Sequence, residues 1–304
     1  MKKLNFPNRI TVELTNRCNV SCTFCNRQKV DMELGDMKEE LFYKIVDEAA
    51  EHLPVKMVLF FRGESLLVDK LVDFIKYAKK KGIGPIQLAS NALILSQELA
   101  EELIDSEIDF ISFSLDTVDT ELYKNSRLSG DLQISMKNVE YMGSKCREYA
   151  KKGKKVPTLQ VSTIDLDIYK ERQEEFIKYW LQYVDIVRVY CEHDEKGHLV
   201  NKEVQKQLID IDDRKPCRKI FTDMIIYWNG RIALCNYDWD QRLPIGDVNT
   251  QSLQEIWEGE LFEEIRKMHN ENNISENLLC KDCHHWKIDY VPEGYLGKVY
   301  KNIE

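Results

Sequence analysis

Nine cysteines dominate the chemistry that this 304-residue chain can support. They form a run of three, a group of four in the last third, and two that stand alone: Cys18, Cys22 and Cys25; Cys217, Cys235, Cys280 and Cys283; Cys146 and Cys191. An odd number does not suit a disulfide framework, and we expect a cytoplasmic setting, where disulfides are rare. The cysteines therefore predict metal or redox chemistry.

The first run has the spacing C-x3-C-x2-C and follows directly after a predicted strand. Three thiolates on one loop can hold three irons of a 4Fe–4S cube, which leaves the fourth iron open to a small molecule. A zinc site completed by a residue elsewhere in the chain is the alternative. The later group supplies four thiolates, which close a metal site fully. A second 4Fe–4S cluster and a structural zinc satisfy that count equally well.

The elements that position the first run alternate between strand-like and helix-like segments. The strand-like segments are 9–14, 56–61, 85–89, 109–115, 158–164 and 185–190, and the helix-like segments are 38–51, 69–81, 96–105, 132–152 and 170–182. About six βα units of this kind predict a parallel sheet with right-handed crossovers. An α/β partial (β/α)6 TIM-like barrel fits best, and a doubly wound sheet is the alternative.

The pattern changes in the last third. Residues 224–227 and 232–234 predict a β-hairpin around Asn229-Gly230, and residues 253–268 predict a helix. We therefore expect a barrel over 1–192, a charged linker over 193–215 and a small hairpin-plus-helix domain over 216–304.

Polar residues stand at the predicted carboxyl ends of consecutive strands, where ligands bind in such folds. They are Gly63 and Glu64 in Phe61-Arg62-Gly63-Glu64-Ser65, then Ser90 and Asn91, Ser114 and Asp116, and finally Cys191, Glu192 and His193 with Arg188 inside the last strand. Each could singly be a turn residue. As a set they predict a binding site.

Cys18-x3-Cys22-Thr23-Phe24-Cys25 resembles the signature of the radical S-adenosylmethionine (radical SAM) superfamily. The resemblance implies a cluster on the three cysteines whose free iron binds S-adenosylmethionine, which is cleaved to a 5′-deoxyadenosyl radical. It places Phe24 beside the adenine. Gly63 and Glu64 match the motif that faces the methionine ammonium, although Arg62 replaces its first glycine and Ser65 its usual proline. It also implies Ser90, Asn91, Ser114 and Asp116 as contacts of S-adenosylmethionine, and an electron donor such as flavodoxin or ferredoxin.

The four later cysteines, with Gly230-x4-Cys235 and Cys280-x2-Cys283, are similar to the shortened auxiliary-cluster domain called twitch, a relative of SPASM. This resemblance implies one auxiliary 4Fe–4S cluster on Cys217, Cys235, Cys280 and Cys283, for electron transfer or structural support. The architecture resembles that of 2-deoxy-scyllo-inosamine dehydrogenase-type enzymes.

The sequence specifies the reaction on the substrate less closely than it specifies the cleavage of S-adenosylmethionine. Dehydrogenation of a small hydroxylated substrate such as an aminosugar, cyclitol or nucleotide sugar needs a base, for which Arg188, Glu192 and His193 stand nearby. A hydrogen atom donated by Cys191 would instead give epimerisation, or Cys191 is simply a small buried side chain. The chain begins almost at its first strand, which disfavours a peptide-modifying enzyme. A non-catalytic metal-binding protein is the remote alternative.

The overall charge limits the classes of binding partner that we expect. The formal net charge is -9, and 31% of the residues are charged, so we expect no nucleic-acid partner. The run Lys151, Lys152, Lys154 and Lys155 is interpreted as a solvated turn. No apolar stretch reaches the roughly 18–20 residues that span a bilayer. Residues 1–8 lack an apolar signal-peptide region, which favours the cytoplasm without a membrane partner.

Overall fold

The computed structural model describes residues 1–194, 200, 213–290 and 297–301. Its strands are β1 (Arg9–Val12), β2 (Lys56–Val58), β3 (Ile86–Ser90), β4 (Phe110–Ser114), β5 (Thr158–Ile164), β6 (Ile186–Tyr190), β7 (Asp223–Ile226), β8 (Ile232–Ala233) and β9 (Lys298–Lys301). Its α-helices are α1 (Glu39–Ala50), α2 (Leu71–Lys80), α3 (Gln97–Asp105), α4 (Thr120–Ser126), α5 (Leu132–Lys151), α6 (Gln173–Trp180), α7 (Lys219–Thr222), α8 (Leu253–Trp257) and α9 (Glu260–Asn270).

One sheet carries all nine of these strands, in the order β8-β7-β1-β2-β3-β4-β5-β6-β9. The strands β1 to β6 run parallel with helical crossovers between them, which confirms the predicted partial barrel. The hairpin β7–β8 extends this sheet, because β7 pairs in parallel with β1 from Arg9↔Asp223 to Val12↔Ile226. The predicted boundaries at 192 and 216 remain a prediction, and most of the linker lies outside the described residues.

Alternation along the strands separates an apolar outer face from a polar inner face. On β4, Ile111 and Phe113 pack in the hydrophobic core, whereas Ser112 points the other way and accepts a hydrogen bond from Gln160 on β5 at 2.8 Å. The helices cover the outer face with apolar stripes such as Phe42, Ile45 and Ala49 of α1, the spacing of an amphipathic helix. The core therefore lies between sheet and helices, and the inner face is available for polar ligands.

The end of the chain departs from the predicted pattern. The single helix expected over 253–268 is two helices, because Gly259 adopts an extended conformation (φ -61°, ψ 149°) and acts as the N-cap of α9. Helix α8 begins at a capping box between Ser252 and Glu255. Helix α4 follows β4, and strand β9 pairs with the edge of β6. Neither element was predicted. Among the described helices, none combines the length and apolar character that crossing a membrane requires.

Candidate functional site

The loop that carries Cys18, Cys22 and Cys25 leaves the carboxyl end of β1 and is held by the segment after α4. Cys22 forms an antiparallel bridge with Arg127. The amide of Thr23 donates to the carbonyl of Ser126 at 2.9 Å. Within the loop, the amide of Cys25 donates to the carbonyl of Cys22 at 3.2 Å. The backbone of the loop is therefore fixed by neighbours rather than by its own regular structure.

The three thiols lie close enough to influence one another. Burial raises the pKa of Cys22 to about 12, the guanidinium of Arg127 opposes that shift, and Cys25 and Cys18 raise the pKa further. Burial also raises the pKa of Cys18, with Cys25 contributing. Thiols that oppose each other's ionisation are suited to a multiply charged metal group, which stabilises the thiolates. In the described part of the chain, no three His, Cys, Asp or Glu side chains are grouped so as to hold a metal ion.

Gly63 follows β2 and packs directly against the strand end that leads into the cysteine loop. A Cβ atom at this position would lie 2.3 Å from the carbonyl oxygen of Thr15 and 2.6 Å from that of Arg17. The amide of Glu64 then donates to the carbonyl of Arg17 at 2.8 Å. Only glycine permits this approach, so the residue predicted to face S-adenosylmethionine also sets the position of the cysteine loop.

Glu64 is buried, with 3% of its surface exposed, and burial raises the pKa of its carboxyl group. Its Oε2 accepts from the amide of Asn91 at 2.8 Å and its Oε1 from the amide of Leu66 at 3.1 Å. The side-chain amide of Asn91 donates to Oδ1 of Asn19, inside the cysteine loop, at 2.7 Å. The hydroxyl of Ser90 caps the amide of Ala92 at 2.9 Å. Ser90 and Asn91 thus support Glu64 and the loop, and their contact with a cofactor stays a prediction.

The buried ion pair of Asp116 and Arg127 is the main feature that the sequence did not reveal. Arg127 Nη2 lies 2.6 Å from Asp116 Oδ2, and both side chains are almost fully buried. Asp116 holds a left-handed conformation (φ 65°) directly after β4. The guanidinium lies 5.8 Å from the ring centroid of Phe24. The carboxylate of Asp116 therefore neutralises an arginine beside the cysteine loop.

A cavity of about 420 Å³ opens at the carboxyl ends of β4, β5 and β6. Six of the predicted site residues line it: Phe24, Ser114, Asp116, Cys191, Glu192 and His193. Gly63, Glu64, Ser90 and Asn91 do not contribute to its lining, nor does Arg188. The rest of the polar wall consists of Arg127, Ser162, Thr163, Tyr190, Tyr237 and His285. The predicted residues after β4 and β6 thus meet at one site with Phe24.

The four later cysteines form a second group of buried thiols. Burial raises the pKa of Cys217 and of Cys235 to about 12 and that of Cys283 to about 11. The pKa of Cys280 is raised by burial and then by Cys235, Cys217 and Cys283. All nine cysteines are free of disulfide bonds.

Backbone amides already support this second group. The amide of Tyr237 donates to Sγ of Cys235 at 3.4 Å, and the amide of His285 donates to Sγ of Cys283 at 3.3 Å. Such N–H···S hydrogen bonds are a recognised means of tuning iron–sulfur sites. Arg214 fixes the CxxC loop through the carbonyl of Lys281 at 2.7 Å. Four thiols are the donor set that a closed 4Fe–4S cluster requires.

Tyr237 and His285 connect the two regions. Each lies two positions after a cysteine of the second group, and the hydroxyl of Tyr237 is 3.0 Å from Nδ1 of His285. Both side chains line the cavity that Phe24 also lines. Sequence reasoning missed this pair because spacing alone does not reveal which side chains after a cysteine turn toward a ligand cavity.

The residues predicted for the reaction lie around the end of β6. Cys191 and Glu192 line the cavity, and burial raises the pKa of both side chains, with Asp165 adding to each shift. Nδ1 of His193 is 3.0 Å from the carbonyl of Cys191. Arg188 lies below them on the inner face of β6, its guanidinium 4.7 Å from the ring centroid of Tyr190.

Two family models match the chain. The model of the radical SAM superfamily matches residues 12–156, and the SPASM model, described as an iron–sulfur cluster-binding domain, matches residues 217–284. The chain carries a radical SAM domain followed by a SPASM domain. The first cysteine run lies in the radical SAM domain, and the later four cysteines lie in the SPASM domain. These matches confirm the resemblance that the cysteine motifs predicted. The radical SAM domain implies S-adenosylmethionine and a 4Fe–4S cluster, and the SPASM domain implies auxiliary iron–sulfur binding.

Curated relatives match part of this chain. It is 34% identical over 110 residues to a tungsten-containing aldehyde ferredoxin oxidoreductase cofactor-modifying protein of Pyrococcus furiosus, covering 36% of this chain and 31% of that protein. It is 31% identical over 130 residues to a probable GTP 3′,8-cyclase of Methanococcus maripaludis, covering 42% and 43%. The matches thus span less than half of either relative.

Solved structures share the fold over most of this chain. BtrN in complex with AdoMet and 2-DOIA superimposes with a TM-score of 0.63 at 18% identity, covering 93% of this chain and 94% of BtrN. SuiB of Streptococcus suis bound to S-adenosylmethionine gives a TM-score of 0.68 at 16% identity, covering 94% and 72%. At these identities the likeness establishes the fold.

Replacing Gly63 by alanine is expected to slow reductive cleavage of S-adenosylmethionine by about 100-fold, because a displacement near 1 Å in a reacting site has an effect of this size. The added Cβ would meet the carbonyls of Thr15 and Arg17 and push the cysteine loop aside. The measurements are iron per chain after anaerobic reconstitution and the rate of 5′-deoxyadenosine formation. Gly153→Ala is the control, since nothing lies within 4 Å of the Cβ position of that glycine, which, unlike Gly63, has a positive φ. Equal rates for the two variants would contradict the proposed clash.

Proposed function

We propose that this chain cleaves S-adenosylmethionine reductively and dehydrogenates a small hydroxylated substrate such as an aminosugar, a cyclitol or a nucleotide sugar. The proposal rests on the wall of the cavity, to which residues next to both cysteine groups contribute. Phe24, from the first cysteine loop, lines one side, and Tyr237 and His285, whose amides bond to Cys235 and Cys283, line the other. A substrate held there lies between the two cysteine groups.

The residues suited to S-adenosylmethionine surround the first loop. Phe24 offers an aromatic face for adenine, and Ser114 and Arg127 offer donors for the methionine carboxylate. Glu64 offers acceptors for the ammonium group, held by the amides of Leu66 and Asn91. When bound, the cluster and S-adenosylmethionine supply a 5′-deoxyadenosyl radical, which removes a hydrogen atom from a substrate carbon.

Completing the oxidation requires the loss of one proton and one electron from the substrate. Glu192 lines the cavity, and its raised pKa, caused by burial and by Asp167 and Asp165, makes the carboxylate a better base. We assign it the role of accepting the hydroxyl proton. Cys217, Cys235, Cys280 and Cys283 would hold the electron acceptor, a second 4Fe–4S cluster. Tyr237 and His285 separate that group from the substrate.

Anaerobic reconstitution tests the proposal directly. The protein is expected to bind about eight irons per chain, enough for two cubes, and to form 5′-deoxyadenosine from S-adenosylmethionine with dithionite. Addition of the correct hydroxylated substrate should give a carbonyl product in equal amount. Bound zinc with no cleavage of S-adenosylmethionine would refute both the initiation chemistry and the dehydrogenase.

Epimerisation is the second candidate, because Cys191 lines the same cavity. Burial and Asp165 raise the pKa of its thiol, so the group keeps its S–H hydrogen at neutral pH. A thiol in this position would return a hydrogen atom to the substrate radical, and the product would then be an isomer rather than a carbonyl compound. The thiyl radical left on Cys191 would be restored to the thiol by one electron from the external electron donor and one proton from solvent.

Cys191→Ala separates the two reactions. For a dehydrogenase we expect turnover within about threefold of the wild type, since the substitution removes only a small side chain from the wall. For an epimerase we expect loss of turnover, and for the wild type incorporation of one solvent deuterium into the product. Cys146→Ala, in the buried face of α5, is the matched control for the loss of a thiol. Deuterium in the wild-type product would refute the dehydrogenase.

A further inference from the structure

Arg188 places an unpaired positive charge on the inner face of the sheet. It lies in β6 with Ile186 and Tyr190 on the same face, while Val187 and Val189 pack outward. Its Nε is buried without a hydrogen-bond partner. Among the residues that the structure describes, no hydrogen bond or ion pair to this guanidinium occurs. The side chain as a whole is only partly buried, and its outer guanidinium nitrogens remain accessible to an incoming anion.

Two other arginines near the same face have such a partner. Arg62 lies with Nε 2.7 Å from Oε1 of Glu13, and Arg127 lies with Nη2 2.6 Å from Oδ2 of Asp116. The fold thus neutralises these two almost fully buried arginines with carboxylates. Arg188, which is only partly buried, has no carboxylate partner within the described residues, so its guanidinium is available to an anion from outside.

The surroundings of Arg188 suit a ligand. Its guanidinium stacks on Tyr190, and its cross-strand partner on β5 is Ser162. Tyr190 and Ser162 both line the 420 Å³ cavity. The amide of Gln160 donates to Ser112 at 2.8 Å and approaches the hydroxyl of Tyr190 at 3.4 Å. Neutral polar groups of β4, β5 and β6 therefore surround this cation, and two of them, Ser162 and Tyr190, also line the cavity.

We propose that Arg188 binds an anionic group of the substrate, a carboxylate or a phosphate. A guanidinium presents a planar fork of donors that matches either group in a bidentate manner. The inference rests on the proposed function, because it concerns the substrate of the same cavity. It narrows the proposed substrates to hydroxylated molecules that also carry a carboxylate or a phosphate, such as a nucleotide sugar.

The charge distribution also orients such a substrate. Glu192 lines the cavity, and its interactions with Asp165 and Asp167 mark that side as acidic. An anion is repelled from this side and attracted to Arg188. The uncharged hydroxyl of the same molecule is left to face Glu192, the group assigned to accept its proton.

Isothermal titration of the reconstituted protein, saturated with S-adenosylmethionine, tests the proposal with two probes: inorganic phosphate and acetate. Saturation matters because it fills the site for the methionine carboxylate. The wild type is expected to bind at least one probe in a saturable manner, and Arg188→Gln should weaken that binding at least about tenfold. Arg188→Lys keeps the charge but loses the fork, so its affinity should fall in between. Tighter phosphate binding identifies a phosphorylated substrate, and tighter acetate binding identifies a carboxylic acid.

Lys137→Gln is the matched control, since Lys137 is exposed on α5 and the substitution changes the net charge equally. Its affinity should equal that of the wild type. The proposal is overturned if Arg188→Gln binds the probes as tightly as the wild type, or if Lys137→Gln weakens binding as much as Arg188→Gln does. It is also overturned if the wild type binds neither probe. If Arg188→Gln does not fold, the affinity of Arg188→Lys for the two probes is compared with that of the wild type instead.

Cleavage of S-adenosylmethionine by the wild type is measured on the same preparation. If the protein forms 5′-deoxyadenosine but binds anions equally well whichever residue occupies position 188, the proposed function stands and this inference is wrong. If the protein forms no 5′-deoxyadenosine, the proposed function is wrong, whatever the titration shows.

Discussion

Cys22→Ala is expected to remove about four irons per chain and to reduce 5′-deoxyadenosine formation below detection. The thiol of Cys22 is the middle ligand of the first run, and its loop is bridged to Arg127. A cube that loses one of its three protein ligands exposes a second iron, and no other thiolate of the described structure is placed on that loop. The remaining iron, about four per chain, should stay on the SPASM domain.

Cys146→Ala serves as its control. Cys146 is buried in α5, outside both cysteine groups, so its removal should leave iron content and cleavage unchanged apart from a modest loss of stability. Iron content is measured by colorimetric assay, and the clusters are distinguished by their electron paramagnetic resonance signals after reduction. Retention of wild-type iron and cleavage by Cys22→Ala would show that the first run does not bind the catalytic cluster.

Glu13→Ala is expected to destabilise the protein by about 3–5 kcal/mol, because it leaves the guanidinium of Arg62 buried without a counter-charge. Both side chains are fully buried, and the carboxylate accepts from Nε and Nη2 of Arg62 at 2.7 Å each. The guanidinium also lies 4.3 Å from the ring centroid of Tyr227, and the amide of Trp228 donates to Glu13 at 3.2 Å. One ion pair therefore joins β1 and the segment after β2 to the hairpin of the SPASM domain.

The melting temperature of the reconstituted protein measures this effect, with an expected fall of at least about 5 °C. Glu121→Gln is the matched control, since Glu121 forms an exposed pair with Lys124 on α4 and such pairs contribute little. Replacing Glu13 and Arg62 together by methionine should recover most of the loss, because removing a whole buried pair is far less harmful than breaking it. A double variant as unstable as Glu13→Ala would contradict the account.

Local pattern predicted the elements of this fold well, because each βα unit carries its own periodicity. The strand over 158–164 and the helices after β1, β2 and β3 follow from alternation and from caps such as Ser96, whose hydroxyl accepts from the amide of Leu99 at 3.1 Å. The helix break at Gly259 was missed because glycine inside a helical pattern is often tolerated.

Contacts between distant residues could not be predicted in the same way. Arg62 was identified as a departure from the family motif, but nothing near it in sequence indicates that its partner is Glu13. Asp116 was predicted as a cofactor contact, and its pairing with Arg127 depends on how α4 folds back over the cysteine loop. Tyr237 and His285 come together only when the SPASM domain is folded. The cysteine groups were found because their chemistry is visible in the residue types alone.

The pairing of β1 with β7 has a consequence for how the protein matures. Arg9 pairs with Asp223, so the strand that presents the cysteine loop keeps one unsatisfied edge until most of the chain has been synthesised. Contacts so distant in sequence form late during folding. Newly made protein thus passes through a stage in which the first cysteines have emerged but their neighbouring strand has not.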